Sequence, residues 1–469
     1  MNIHIKSIVS ALAFSLLFYS KSFGLNLFLI SIVVVALVST IGKNRFISWR
    51  YSFVYVTTAI FVFLNPTGFT IFVHFMAFMV FVGKSISQKS SVYLSWFVGC
   101  INMTAASVAN YVQNQDKPEK KESGKISPKL GNRLKGGIVA TALLFLFGML
   151  YKNANPVFGN LIAQIDLDFI SIPWLFFTFL GYLIFLHLLR PFNAQELVDY
   201  DLAQKNELEK PAELTLIGEK KQLESEHTLG SMVFLALNLL LLLFLVTDVI
   251  YLLDQTTISN AEYSQAVHQG VYALMFSVVC AIVLILYFFR GNLNFFRGNH
   301  RIKIFTYVWI ALNVILVVFT AYKNYTYVEA LGLTYKRIGV FVYLALTLTG
   351  LITAYIKVTE VKNFIYLLRT NMATIFAFLF LSASIPWDRA ITGYNLNTIE
   401  KPDINYLIGL GESNSEQLYS YTKKNRLETN TADSINDKYK AFVEKQSQKT
   451  WQEYTLYQIT KTKSNDGSF

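Results

Sequence analysis

The sequence predicts an all-α fold, a polytopic transmembrane helical bundle of about 11–12 membrane segments with a small helical C-terminal soluble tail. Two observations carry this. Apolar runs such as Gly230 to Leu252, where Asn238 and Asp248 are the only strongly polar interruptions, recur along the chain. Some 20 apolar residues in succession are enough to cross about 30 Å of hydrocarbon as a helix. The composition agrees, because 53% of the 469 residues are hydrophobic and only 15% charged, against roughly 25% charged in a soluble domain.

Residues 1–111 read as N-terminal membrane segments, at 7–20, 25–42, 51–64, 68–83 and 91–111. Lys6 and the apolar run from Ile8 to Tyr19 have the outline of a signal peptide. No small-residue cleavage site follows, so the segment is read as a retained first helix. Asn65, Pro66, Thr67 and Gly68 make the pair around them either a tight hairpin or one broken helix. Residues 112–136 form a basic loop, and 137–386 a membrane core with segments at 137–151, 172–189, 230–252, 267–289, 304–322, 338–356 and 370–386. Residues 387–469 form the tail, whose helical stretches are marked by Ile404, Leu407 and Leu410, then Tyr439, Phe442 and Val443, then Trp451, Tyr454 and Tyr457.

Orientation follows from the basic residues. The loop from Arg290 to Lys303 holds Arg290, Arg297, His300, Arg301 and Lys303 against no acid, which assigns it to the cytoplasm. Alternation then places 357–369, 112–136 and the acidic loop 192–229 inside as well, and the tail outside. Lys43, Arg45 and Arg50 also favour the inside, which an odd number of crossings between them and 112–136 does not allow. Eleven crossings resolve this, with 91–111 as an interfacial or re-entrant piece, given Asn102, Thr104, Ser107 and Asn110. The chain is therefore expected in the cytoplasmic membrane of a bacterium. The net charge of +11 belongs to such loops, and nucleic acid is excluded as a partner. Cys100 and Cys280 lie in apolar segments with no metal-ligand spacing. Neither a cofactor nor a metal is expected.

Ionisable groups in or beside membrane helices are costly and so are the candidate functional positions. The orientation gathers Asp166, Asp168, Asp248, Glu262, His268, Glu329, Arg337, Asp388 and Arg389 at the outer face. One polar cleft lined by them would suit a cation, a head group or a proton. Taken singly, each has a plainer role as a packing, capping or solvated residue, and His268 alone is a weak metal ligand. His74 and His187 read as satisfied structural histidines, and Asn238 and Asn313 as hydrogen-bonding between helices. No phosphate loop, nucleophile elbow or other catalytic motif occurs.

Several motifs together resemble a known family. They are Asn155-Pro156, Asp166 to Phe169, Ala261-Glu262-Tyr263 with Gln269 to Tyr272, Tyr307 to Ile310 with Asn313, Gly332-Leu333-Thr334 with Arg337, Trp387-Asp388, Tyr394-Asn395, and Asp403 with Tyr406-Leu407. Across residues 137–457 the chain resembles the bacterial membrane-protein family catalogued as domain of unknown function forty-one seventy-three, with a sister group forty-one fifty-three. The resemblance implies a bacterial membrane protein with a soluble C-terminal tail and supplies no activity. Three functions remain open: a non-enzymatic scaffold or sensor meeting protein partners through loop 192–229 or the tail, a transporter or lipid-handling protein using the outer cleft, and a membrane-embedded enzyme using an acid pair.

Overall fold

The computed structural model describes residues 2–40, 49–115, scattered positions from 136 to 158, 171–210, 220–253 and 276–465. In chain order the helices are α1 (Ile3–Phe18), α2 (Leu25–Ser39), α3 (Trp49–Leu64), α4 (Gly68–Ile86), α5 (Val92–Gln115), α6 (Ile172–Leu189), α7 (Gln195–Ala203), α8 (Lys220–Leu253) and α9 (Phe276–Phe288). They continue as α10 (His300–Leu331), α11 (Tyr335–Thr359), α12 (Phe364–Ala383), α13 (Trp387–Thr398), α14 (Ile404–Ile408), α15 (Ser415–Lys424), α16 (Thr429–Ser447) and α17 (Leu456–Asn465). Among the described residues there is no strand, only an isolated antiparallel bridge between Glu207 and Lys362. Seven of these helices, α4, α5, α6, α8, α10, α11 and α12, are long and apolar enough to cross a membrane, while α1, α2, α3 and α9 are apolar but shorter. The fold is thus an all-α multi-pass membrane bundle.

The chain divides into two compact units. The first comprises 1–22 and 101–193. In it α1 packs antiparallel on α6: Tyr19 meets Ser171 at 3.0 Å, Thr178 donates to Ser15 at 2.9 Å, and the Phe14 and Phe177 rings stack 5.1 Å apart. The second half of α5 binds the end of α6. Asn102 donates to the His187 carbonyl at 2.9 Å and accepts from the Phe192 amide at 3.2 Å, and Asn110 donates to the Arg190 carbonyl at 3.3 Å. The last carbonyls of a helix lack partners within it, and the polar residues of α5 supply them. Because α5 is one unbroken helix of 24 residues, a re-entrant form of 91–111, which would have to turn back within the segment, does not hold.

The second unit comprises 23–100 and 194–469. Its α3 and α4 settle the first ambiguity as a tight antiparallel hairpin. The Thr67 hydroxyl accepts from the Thr70 amide and the Thr70 hydroxyl accepts from the Thr67 amide, a reciprocal cap, while the Thr70 hydroxyl donates to the Asn65 carbonyl at 2.8 Å. Such caps contribute about 1 kcal/mol. Beyond the turn, Tyr55 stacks on Phe81 and on His74, with ring centroids 5.2 and 5.0 Å apart. Antiparallel α4 and α5 touch backbone to backbone, for a Cβ on Gly83 would fall 1.8 Å from the Ser95 carbonyl oxygen and one on Gly99 2.0 Å from that of Met79. Small residues permit that approach, which in lipid replaces a hydrophobic driving force.

Helices α8 to α11 enclose the larger core, in which Phe234, Ile285, Phe289, Ile302 and Leu351 are fully buried. α8 and α10 run parallel, with Asn238 donating to the Phe305 carbonyl at 2.9 Å near one end and Asp248 meeting Lys323 towards the other. Two ends of this unit can therefore be distinguished. At one lie Tyr51, Lys84, α7, Arg290 and the 357–369 segment, rich in Lys and Arg. At the other lie the ends of α10 and α12, the starts of α2 and α11, and the tail. The tail has its own small core of Ile391, Leu407, Leu418 and Ile435.

Candidate functional site

At the tail end the chain must turn from α10 into α11 within a few residues. Gly332 occupies the left-handed region at φ +84°, which only glycine adopts without strain. The amide of Leu333 then donates to Asn395 Oδ1 at 2.6 Å, and Asn395 Nδ2 returns a bond to the Leu333 carbonyl at 2.9 Å. Arg337, only 9% exposed, reaches back over this turn. Its Nη1 donates to the carbonyls of Leu331, at 3.0 Å, and of Gly332, and its guanidinium lies 4.0 Å from the centre of the Tyr327 ring. Asn324, one turn back on α10, donates to the Arg337 carbonyl at 3.0 Å.

Asp388 is 5% exposed and takes a bond from the Tyr335 hydroxyl at 2.7 Å and one from the Ser413 hydroxyl at 3.2 Å. A Cβ at Gly411 would sit 2.5 Å from Asp388 Oδ2, so this close packing requires glycine there. Arg389 donates through Nε to the Ser413 carbonyl at 2.8 Å, and the Tyr335 amide donates to the Tyr406 hydroxyl at 2.9 Å. Lys438 of α16 donates to the Ile408 and Leu410 carbonyls, both at 2.7 Å. Burial pushes its ammonium below the ordinary lysine range, an effect that the nearby carboxylates of Asp388 and Glu412 only partly offset.

Asp248 pairs with Lys323, one turn of α10 before Tyr327, the two side chains being 13% and 17% exposed. The structure thus brings Asp248, Arg337, Asp388 and Arg389 around the end of α10, linked by Lys323, Asn324, Tyr327 and Tyr335. It does not bring Glu329, which is exposed and accepts from Tyr325 of its own helix at 2.6 Å. Asp166, Asp168, Glu262 and His268 lie outside the described residues. Sequence reasoning missed Lys323, although a lysine at the edge of the apolar run 304–322 was a signal that Asp248 had a partner within reach.

It also missed a second cluster at the basic end. Asp201 of α7, 4% exposed, accepts from the Ser91 amide at 2.8 Å, the Ser91 hydroxyl at 3.3 Å, the Tyr93 hydroxyl at 3.0 Å and Arg369 Nη2 at 3.1 Å. Burial raises this carboxyl, but the Ser91 amide, Arg369 and Tyr93 together outweigh it and hold it below the usual carboxylate range. Arg369 also donates to the Gln204 carbonyl at 3.1 Å, the Asp201 carbonyl and Asn206 Oδ1 at 2.7 Å, a cation closing the C-terminus of α7. Backbone bonds from Leu208 to Val361 and from Asn363 to Asn206, at 3.0 and 2.9 Å, complete the attachment. The front of loop 192–229 is therefore docked on the 84–93 and 360–369 segments. α7 turns Val198 and Asp201 inward and leaves Leu197, Tyr200 and Leu202 exposed.

The two intramembrane histidines are satisfied. His187 Nδ1 faces the Met103 carbonyl at 3.0 Å and must donate to it, so Nε2 accepts from the Ser107 hydroxyl at 2.7 Å. Thr58 donates its one hydroxyl hydrogen to the Tyr55 carbonyl at 2.7 Å, so His74 Nδ1 donates to Thr58 at 3.1 Å. Asn238 bridges α8 to α10 as expected, whereas Asn313 bonds to the Trp309 carbonyl of its own helix at 2.8 Å rather than to a neighbour.

Comparison with known proteins gives one family. The family model described as Domain of unknown function (DUF4153) matches residues 27–421. The resemblance to a domain family of unknown function thus holds, but the model that matches is that of the group named second from the sequence rather than of the one named first, and the match begins at residue 27 rather than 137. No curated protein and no solved structure matches.

Proposed function

Since the chain belongs to the DUF4153 family, whose model spans residues 27–421, and is a multi-pass membrane protein, we propose that it is a non-enzymatic component of the bacterial cytoplasmic membrane, a scaffold or sensor. One observation supports this above others: four of the candidate charged groups at the tail end, Asp248, Arg337, Asp388 and Arg389, are engaged in internal bonds. Arg337 holds carbonyls and an aromatic face, Asp388 holds two hydroxyls, Arg389 holds a carbonyl and Asp248 holds Lys323. The Tyr335–Asp388 bond, with those of Asn395 to Leu333 and of Tyr335 to Tyr406, fastens the tail helices to the α10–α11 turn, an arrangement that suits transmission or display of a rigid surface. A catalytic acid pair or a cation cleft would instead present carboxylate oxygens to a substrate. Partners meet the protein at the exposed face of α7, through Leu197 and Tyr200, and at the tail. The basic end faces the cytoplasm by the positive-inside rule, and the tail the opposite side.

Site-specific photocrosslinkers in place of Tyr200 and Val443, both exposed, test this in cells. The expected result is one discrete protein adduct at each site, with the Tyr200 adduct lost in Arg369→Ala, which frees α7, and kept in Asp248→Asn. If proteoliposomes of the purified protein instead carry out saturable solute or lipid movement that Asp248→Asn abolishes, the transporter reading replaces this one.

A further inference from the structure

A feature of the second unit that the tail-end cluster does not use lies at the basic end, where α9, α11 and α12 leave an open cleft of about 410 Å³. Sites for small ligands range over about 300–1,000 Å³. Its walls are apolar, and Val283, Tyr287 and Phe364 are each more than half exposed on helices that are themselves apolar. Its polar lining is two cations. Arg290 lies over the Tyr287 ring, 4.1 Å from its centre, and donates to the Tyr287 carbonyl at 3.3 Å. Lys357 is 2% exposed, and its ammonium donates to the carbonyls of Phe289 at 3.0 Å and Lys362 at 2.8 Å. An ammonium carries three hydrogens, so one remains for a further acceptor.

No carboxylate among the described residues lies within ion-pair distance of either cation. The acids nearby are committed elsewhere, Glu207 and Glu360 both to Lys362, at 2.8 and 3.2 Å. A buried charge held only by carbonyls is costly and is relieved by an anion. Val283, Tyr287 and Phe364 expose this lining on the outer surface of apolar helices, at the end where Arg290, Lys357 and Arg369 gather, and basic pockets between membrane helices are suited to acidic head groups.

We propose that this cleft binds an anionic phospholipid of the surrounding bilayer, its phosphate on Arg290 and Lys357 and an acyl chain along Val283, Leu286, Tyr287 and Phe364. The charge complementarity selects the head group, and the exposed apolar walls select a lipid over a soluble phosphate. The site is separate from the tail-end cluster and does not rest on the scaffold reading.

Native mass spectrometry of the full-length protein, titrated with phosphatidylglycerol or phosphatidylcholine of identical chains, tests it. Phosphatidylglycerol adducts are expected at a concentration about tenfold lower than phosphatidylcholine adducts, the effect of one charge-assisted contact. Arg290→Gln should remove that preference, and Phe364→Ser should weaken both lipids together. Both positions are exposed, so these variants keep the fold where Lys357→Met would disturb the packing of Phe289. Soluble glycerol 3-phosphate in excess should leave the adducts in place. Equal retention of the two lipids, unchanged preference in Arg290→Gln, or displacement by glycerol 3-phosphate would each overturn the proposal, the last by showing an anion site without an acyl groove.

Discussion

Replacing Arg337 with Met keeps a long apolar stem and deletes the guanidinium that spans the turn between α10 and α11. Two bonds from Nη1, to the Leu331 and Gly332 carbonyls, disappear together with the contact to Tyr327. A hydrogen bond involving a charged group contributes about 1.5–3 kcal/mol, and a desolvated cation over an aromatic face about 2 kcal/mol. The two bonds share one nitrogen and do not add independently, and Met recovers part of the packing. The expected loss is therefore about 3–4 kcal/mol. Arg337→Lys, which keeps a point charge without the planar fork, should lose about half as much. Reversible unfolding of the purified protein in mixed detergent, followed by far-UV circular dichroism, measures this. Hydrogen exchange should localise the loosening to 331–335 and to α13, which Asn395 ties to the same turn. A loss in Arg337→Met below about 0.5 kcal/mol, the size of an ordinary surface change, would refute the assignment of Arg337 as the clamp of this turn.

Two further outcomes are expected. Asp248→Asn removes the carboxylate that Lys323 binds and Lys323→Met removes the ammonium that Asp248 binds, so each single variant should lose about 3 kcal/mol, while the double variant recovers most of it; a double-variant loss equal to the sum of the two single losses in the same detergent titration would show that the two groups act independently. The depressed carboxyl of Asp201 faces Arg369, Tyr93, Ser91 and Lys84. A group whose folded pKa is lowered stabilises fully above its unfolded value, near 4, and loses that contribution as pH falls through the folded value. Attachment of α7, read as protection of 195–209 from limited proteolysis, should thus be constant from pH 8 to about 5 and fall below pH 4. Asp201→Asn should show weak protection with no such acid step, and a step of the same size in that variant would assign the titration to another group.

The membrane class and most helices were legible in the sequence because apolar length is a local property. Gly230 to Leu252 announces a helix whatever surrounds it. The turn at Asn65 to Gly68 was legible as an interruption, but the choice between a hairpin and a broken helix depended on Tyr55 stacking on Phe81, a contact across the turn. At the tail end the sequence picked out Asp248, Arg337, Asp388 and Arg389 by their cost in lipid and their common end. It could not tell that they are spent on Lys323, on carbonyls and on hydroxyls, because backbone acceptors leave no mark in composition. Asp201 was invisible for a related reason. Its partners Ser91 and Arg369 stand 110 and 168 residues away, and a lone aspartate in an acidic loop resembles any solvated one. The polar residues of α5 were seen but assigned to a surface position, whereas Asn102 and Asn110 serve the end of α6.

The start of α2 is tied to the far end of the chain. The Leu25 amide donates to the Tyr454 carbonyl at 2.8 Å, and Gly24 lies so close to Glu453 that a Cβ there would fall 2.5 Å from its carbonyl oxygen. The start of α2 is therefore finished by backbone that lies more than four hundred residues further along the chain. The Asn26 side chain takes the Gly24 and Leu27 amides at 2.9 and 2.8 Å, so among these first amides it is that of Leu25 that depends on the distant segment. Removal of 451–454 is therefore expected to loosen the start of α2, a site far from the cut in sequence.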